Sequence, residues 1–368
     1  MRQPYSRRFN FLVWGTAMVD ALAKCLNGQP YDETCSEIQA LQQVMLENEP
    51  CCVAFGLNHA TIQSSVQRRW SLLQDVYPQL NHLCCDVLGW KGVPIETAWD
   101  LWIPLALKLV DAQTQLNRPL IQGVLGGQGT GKTTLGAVLG LILTHLGQTV
   151  CSISIDDIYK TFEARQALKK NDPRLIWRGP PGTHDIELGL RVLKGVKCLD
   201  DNAVIEVPRF DKSAWQGEGD RTQPEKIQRP TIVLFEGWFV GTRPIAPEQF
   251  DHAPDPIVTE ADRAFARDMN EQLRAYLPLW DELDQLMVLY PTNYRMSQQW
   301  RRDAEQKMKA SGRDGMSDDQ IHQFVTYFWR SLHPELFITP LLKDAKHVDL
   351  VVEIDANHSP CAIYAPSP

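Results

Sequence analysis

The residues whose spacing most clearly implies chemistry run from Gly126 to Thr133. Gly126-Gly127-Gln128-Gly129-Thr130-Gly131-Lys132-Thr133, continued by Thr134, fits the pattern GxxxxGK[ST]. An apolar run precedes it and an amphipathic stretch follows, the strand–loop–helix context that gives the pattern meaning. Glycine lets the backbone take conformations closed to other residues, so successive N–H groups can point at phosphate oxygens beside the positive end of the following helix. Lys132 is expected to reach the outer phosphates of a nucleotide. Thr133 is expected to offer its hydroxyl to magnesium, which binds few protein groups and keeps phosphate and water as its other ligands. The alternative is a glycine-rich turn that binds nothing, and strand, loop, lysine and helix together speak against it.

Two acidic segments bear on what the phosphate site does. Ser154-Ile155-Asp156-Asp157-Ile158-Tyr159 follows a second apolar run and places two carboxylates at the carboxyl end of a sheet, where ligands of open α/β folds bind. Asp156 is placed to accept a proton from a substrate hydroxyl; its plainer reading is a cap for the helical stretch that begins near Tyr159. Thr231 to Glu236 is an apolar strand ending in an acid, suited to orienting magnesium or its waters, and Gly237 then lets the chain turn.

These residues need a scaffold, and the chain reads as two regions. Residues 1–117 are helical: Ile38, Leu41, Val44 and Met45 recur at helical spacing, as do Ile62, Val66, Trp70, Leu73 and Val76, with breaks at Asn27 to Pro30 and Gly92 to Pro94. From residue 118 to 368 short apolar runs alternate with amphipathic stretches. That is the texture of an α/β fold, a mostly parallel central sheet flanked by helices on both faces. Strands are expected at Leu120 to Leu125, Thr149 to Ile155, Ala203 to Val207, Thr231 to Phe235, Leu286 to Tyr290 and Val348 to Ile354, each apolar enough to be buried. Helices are expected at Lys132 to His145, Asp185 to Leu193, Glu260 to Leu283, Tyr294 to Lys309 and Asp318 to Ser331, the last capped by Ser317.

At these motifs the chain resembles the P-loop kinases that include uridine kinase, phosphoribulokinase and pantothenate kinase, and most nearly the D-glycerate 3-kinases of the plant and cyanobacterial type. Arg178-Gly179-Pro180-Pro181-Gly182-Thr183-His184-Asp185 is similar to that family's RGPPGTHD segment. Val207 to Ser213 with Gly217 to Arg221 is similar to its PRYDKSA and GDR strings, and Glu236 to Trp238, Trp300-Arg301, Ala304-Glu305 and Gly315 to Asp318 continue the likeness. The resemblance covers roughly residues 118 to 355 and the helical region more loosely. It implies phosphoryl transfer from MgATP to the terminal hydroxyl of D-glycerate, as in photorespiratory salvage, with Asp156 as base. Glycerate is a small anion, and Arg178, Arg209, Lys212 and Arg221 supply cations for its carboxylate, while His184 and Asp185 could hold its hydroxyls. A solvated loop with surface ion pairs is the alternative for this group. Arg301, ahead of a glycine-rich stretch (Ser311 to Gly315) where this family has a mobile lid, would neutralise charge on the transferred group. The chain departs from the plant pattern in carrying Arg302 beside it. Neighbours on a helix point about 100° apart, so Arg301 is expected to face the nucleotide and Arg302 the solvent.

The bulk properties restrict the partners. The sequence has 368 residues, 43% of them hydrophobic and 22% charged, and its 37 basic against 45 acidic residues give a net charge of -8. That charge opposes nucleic-acid binding. Nine cysteines, none in a CxxC pair, suit a reducing compartment, and Cys51-Cys52 and Cys84-Cys85 read as free thiols in helices. Ser6-Arg7-Arg8 with Phe11 and Leu12 has the look of a twin-arginine signal, but Asp20 and Lys24 cut the apolar run far below the ~20 residues of a span. The expectation is a cytoplasmic protein with a small-molecule partner, off the membrane. Two competing readings remain on residues alone: a kinase for another acceptor (a nucleoside, sugar phosphate or pantothenate), or a nucleotide-switched ATP-binding protein.

Overall fold

The structure is a computed structural model describing residues 16–198, 200, 203–310 and 315–367. The Arg7-Arg8 pair with Phe11 and Leu12, and the 311–314 portion of the glycine-rich stretch, lie outside the described residues. Six helices come first: α1 (Thr16–Leu26), α2 (Ser36–Glu47), α3 (Glu49–Phe55), α4 (Ile62–His82), the short α5 (Ile95–Thr97) and α6 (Ile103–Leu116). The α/β portion follows as β1 (Leu120–Gly126), α7 (Lys132–His145), β2 (Val150–Ser154), α8 (Phe162–Asn171) and α9 (Ile186–Cys198). Four short strands lead back to the sheet: β3 (Val204–Val207), β4 (Phe210–Asp211), β5 (Asp220–Arg221) and β6 (Glu225–Gln228), before β7 (Ile232–Gly237). The remainder is α10 (Glu260–Gln272), α11 (Leu277–Trp280), β8 (Gln285–Pro291), α12 (Met296–Ala310), α13 (Asp318–Ser331), α14 (Pro334–Phe337), β9 (Leu350–Ile354) and β10 (Pro360–Tyr364).

The main sheet runs β10-β9-β8-β1-β7-β2, parallel from β9 to β2 with β10 antiparallel on the edge. Successive residues of a strand face opposite sides, and here both sides are dry. Leu120, Val124, Ile232 and Leu234 join one core with α1 to α4, α6 and α7. Ile121, Leu125, Val233 and Phe235 join the other, under α9 to α11. That is why β1 and β7 read as continuous apolar runs. The N-terminal helices therefore share their core with the sheet, α6 lying against β1 and α4 against α7.

The sequence expectations hold for five strands of the sheet and depart elsewhere for identifiable reasons. Val204 to Val207 is not in the main sheet but pairs antiparallel with β6, with Val204 and Glu206 outside and Ile205 and Val207 inside. That alternation belongs to a ribbon with one solvated face. The stretch from Glu260 to Leu283 is not one helix: α10 ends at Gln272, a 3₁₀ turn covers Leu273–Tyr276, and α11 opens with Pro278 in its first turn. Proline fits there because the first turn needs no N–H. Strand β10 has no counterpart among the expected strands, because it is short and led by Pro360 at a sheet edge. Ser317 caps α13 as expected, in a reciprocal box with Gln320. All nine cysteines are free thiols, and burial pushes Cys25 and Cys51 up to about 12. No described helix is long and apolar enough to cross a membrane.

Candidate active site

Strand β1 delivers the phosphate-loop sequence at the carboxyl end of the sheet, and α7 begins at Lys132, so the backbone amides of the loop sit at a helix N-terminus. Gly129 has φ +80°, and a Cβ there would lie 2.6 Å from Cβ of Trp300. Both the left-handed backbone and the close approach of α12 require glycine at this position. Trp300 is buried, donates from its indole N–H to Ala356 O at 3.3 Å, and stacks on His358 at 4.4 Å. His358 Nδ1 is 2.9 Å from Gly129 O, so α12 and the β9–β10 turn together brace the loop. Thr130 Oγ1 donates to Gly127 O at 2.9 Å and Lys132 Nζ to the same oxygen at 3.0 Å. Burial lowers the Lys132 ammonium below its ordinary value, against the pull of Glu236 and Asp156. Glu236, at the end of β7, is 3.9 Å from Lys132 Nζ. Thr133 and Glu236 line one cavity of about 180 Å³ with Ser154 and Asp157.

Asp156 and Asp157 have separate jobs. Ser154 caps the 3₁₀ turn Ile155–Ile158, and Asp157 answers it by accepting from the Ser154 N–H at 2.9 Å. Thr161 caps α8. Capping is thus complete without Asp156, whose carboxylate instead meets Lys212 Nζ at 2.6 Å and the Tyr159 hydroxyl. Burial alone would raise the Asp156 carboxyl, but Lys212, together with the hydrogen bond from Tyr159, holds it below the usual carboxylate range. Asp156 is ionised at neutral pH, as a proton acceptor must be. Gly237 leaves room for this turn: a Cβ there would lie 2.5 Å from Cγ2 of Ile155.

The cations expected around the acceptor are divided by their partners. Lys212 meets Asp156 directly. Arg178 donates to Gly217 O at 2.6 Å, with its guanidinium 6.0 Å from the Tyr159 ring. Arg221 and Asp185 are committed to each other at 2.8 Å; Arg221 also donates to Tyr159 O, and Asp185 accepts from the Leu188 N–H at the start of α9. Arg209 spans Asp157 at 3.2 Å and Glu225 at 2.8 Å and donates to Ser152 O. Each of these three residues has charge or hydrogen bonds met by the partners just named. His184 is buried, stacked on Tyr159 at 4.4 Å, with Nδ1 2.7 Å from the Tyr276 hydroxyl. Burial lowers it to about 3, so it is neutral, and Nε2 has no hydrogen-bond partner among the described residues. That nitrogen is buried with its hydrogen-bonding capacity unused.

On α12, Arg301 meets the buried Glu305 at 2.6 Å and lies over the Phe324 ring at 5.4 Å. Glu305 also accepts from the Met316 N–H at 3.0 Å, so one carboxylate ties Arg301 to the segment leading into α13. Arg302 is not the more exposed neighbour: the two side chains are 33% and 32% exposed, since Arg302 is partly covered by Asp318 and Gln299. Sequence reasoning missed Arg165 and Tyr276. Arg165 is buried beneath Phe210 at 5.1 Å and donates to the Glu218 carbonyl; its signal was an arginine in the amphipathic stretch directly after the Asp156 segment. Tyr276, in a 3₁₀ turn, left none.

No protein-family model matches the chain. It is 32% identical over 255 residues to the chloroplastic D-glycerate 3-kinase of Arabidopsis thaliana, covering 66% of this chain and 54% of that protein, so it spans about half the length of the plant relative. It is 30% identical over 271 residues to the uncharacterized kinase mug58 of Schizosaccharomyces pombe, covering 70% of this chain and 96% of the yeast protein. Among solved structures, the D-glycerate 3-kinase of Cryptococcus neoformans superposes with a TM-score of 0.64 at 26% identity, over 72% of this chain and 99% of the other. Sequence identity that runs the length of the fission-yeast kinase, with the shared fold and phosphate loop, means that the chain belongs to the family of P-loop kinases that includes the plant D-glycerate 3-kinase.

Proposed function

We propose that this protein transfers the terminal phosphoryl group of ATP to the primary hydroxyl of D-glycerate, giving 3-phosphoglycerate and ADP. The observation that carries the reading is Asp156: an ionised, partly buried carboxylate at the end of β2, free of any capping duty, beside a phosphate loop and next to the cation Lys212. The names of the plant and fungal relatives supply the acceptor.

In this reading the loop Gly126 to Thr134 holds the triphosphate through main-chain N–H groups, and Lys132 turns from Gly127 O to the outer phosphates. Magnesium fits the oxygen donors of the adjoining cavity: Thr133 and Glu236 would hold it, and when bound it offsets phosphate charge. Lys212 and Arg178 take the glycerate carboxylate, and His184 Nε2 its secondary hydroxyl. Arg209, Arg221 and Asp185 keep those groups in place. Asp156 takes the proton of the primary hydroxyl as that oxygen bonds to the phosphorus and the bond to ADP breaks. Arg301, steered by Glu305, offsets charge on the group in transit. Nine free thiols suit a reducing cytoplasm, and photorespiratory salvage is the setting the family likeness implies.

The test is ADP release with ATP alone and with D-glycerate, glycerol, nucleosides or pantothenate added. Release that depends on D-glycerate supports the reading. Equal release with and without any acceptor would make this a slow nucleotide switch instead.

A further inference from the structure

Lys212 and Asp156 are bound to each other, although the proposed chemistry needs both for the substrate. An ammonium 2.6 Å from one oxygen of a carboxylate takes up an acceptor position there and makes the group a weaker base until the ammonium leaves. The two partners are built differently. Asp156 is fixed at the end of β2 and its side chain is 25% exposed, whereas the Lys212 side chain is 62% exposed on the β4–β5 hairpin. The hairpin itself is pinned: Ser213 N and Oγ both donate to Asp211, Trp215 stacks on Phe162 at 4.7 Å, and Arg165 holds the Glu218 carbonyl. Only the lysine stem is left to move, four flexible carbons carrying a point charge. The neighbouring arginines are not equivalent, since Arg209 and Arg221 are locked onto Asp157, Glu225 and Asp185. Among the described residues, Asp156 is the carboxylate that Lys212 pairs with.

We propose that Lys212 is a specificity latch on the base: it occupies Asp156 until the carboxylate of an anionic acceptor draws the ammonium away, so that Asp156 is fully available as a proton acceptor only when such an acceptor is in place. The proposal rests on the reading of Asp156 as base. Exchanging one carboxylate for another costs Lys212 little, because the pair is already half in water. Water and neutral alcohols offer no replacement charge, so they leave the base occupied and ATP is spared hydrolysis. When Lys212 departs, burial acts on Asp156 opposed chiefly by the Tyr159 hydrogen bond, and the carboxylate becomes a stronger base than in the pair. The bond changes are those of the transfer already described, with the acceptor proton passing to Asp156 and ADP leaving.

The experiment compares the full chain with Lys212→Met and Lys212→Arg in three assays: ATP hydrolysis without acceptor, turnover of D-glycerate, and turnover of glycerol, which has a hydroxymethyl group in place of the carboxylate. ATP affinity measured alongside confirms that the exposed substitution leaves the fold intact. Lys212→Met should raise acceptor-free hydrolysis about fivefold, the scale of a partly exposed ion pair, and reduce the preference for D-glycerate over glycerol by at least about tenfold. Lys212→Arg, which keeps the charge, should keep hydrolysis low. A Lys212→Met protein with a higher KM for D-glycerate but unchanged hydrolysis and glycerol turnover would overturn the latch and leave Lys212 as a binding residue. The hydrolysis arm needs no acceptor, so it judges the latch even if D-glycerate proves not to be the substrate.

Discussion

Replacing Asp156 by asparagine isolates the base from the rest of the site. The local backbone should not respond, because Ser154 and Asp157 cap the turn and Thr161 caps α8 without help from Asp156. An asparagine oxygen can still accept from Lys212 and Tyr159, so the hairpin keeps its place and the nucleotide loop is untouched. What is lost is an ionised acceptor for the hydroxyl proton. General-base catalysis contributes about 10²–10⁴ in rate, so kcat should fall at least about a hundredfold, or roughly 2.7 kcal/mol of barrier. ATP affinity, measured by titration calorimetry, should stay within about twofold, below 0.5 kcal/mol. A coupled ADP-release assay reads the turnover. Turnover near that of the unsubstituted protein would remove Asp156 from the role of base, and a parallel loss of ATP binding would mean that the residue serves the loop.

Three further outcomes follow from the geometry. Gly129→Ala should weaken ATP binding by about tenfold or more, since a left-handed alanine costs roughly 1–2 kcal/mol before any clash with Trp300, which sits 2.6 Å from the added Cβ; an unchanged Kd would mean that α12 yields freely. Arg301→Met should lower kcat about 10²–10³-fold with little change in ATP affinity, the scale of losing one transition-state donor, whereas Arg302→Met should cost far less; equal losses would show that exposure, similar for both, is the better guide. Buried His184 and His333 are neutral in the fold, at about 3 and about 4 against an ordinary 6.5. The unfolded chain therefore binds more protons between those values, and Tm should decline as pH falls from 6.5 toward 4, less steeply in His333→Gln; a flat profile over that window would contradict their burial as neutral rings.

How much was legible beforehand depended on whether a residue's role was local. The phosphate loop needs a fixed order of glycines, a lysine and a hydroxyl, so Gly126 to Thr133 could be read directly, as could β1 and β7, whose two dry faces leave unbroken apolar runs. Asp156 could be singled out but not separated from a cap, because that distinction lies in the hydrogen bonds of Ser154 and Asp157. The partition of the cations was out of reach for the same reason. Arg178, Arg209 and Arg221 are equivalent as letters, and only the placement of Glu225, Asp185 and Asp157 decides which are spoken for. Arg165 carries only a weak signal, an arginine on the helix that follows the Asp156 segment, and Tyr276 comes to the site from a 3₁₀ turn whose local pattern says nothing about it. The β3 run misled because four residues of alternating character resemble a short buried strand until Glu206 is taken as a mark of its solvated face.

In the proposed reaction Asp156 stands beside the acceptor hydroxyl while the loop at Gly126 to Thr133 grips the nucleotide. A crystal structure with a non-hydrolysable ATP analogue, magnesium and D-glycerate tests it most directly. The expected complex has the triphosphate in that loop, an Asp156 oxygen within hydrogen-bond distance of the primary hydroxyl, and Lys212 on the glycerate carboxylate. A triphosphate bound elsewhere, or Asp156 facing bulk solvent with the acceptor in place, would contradict it.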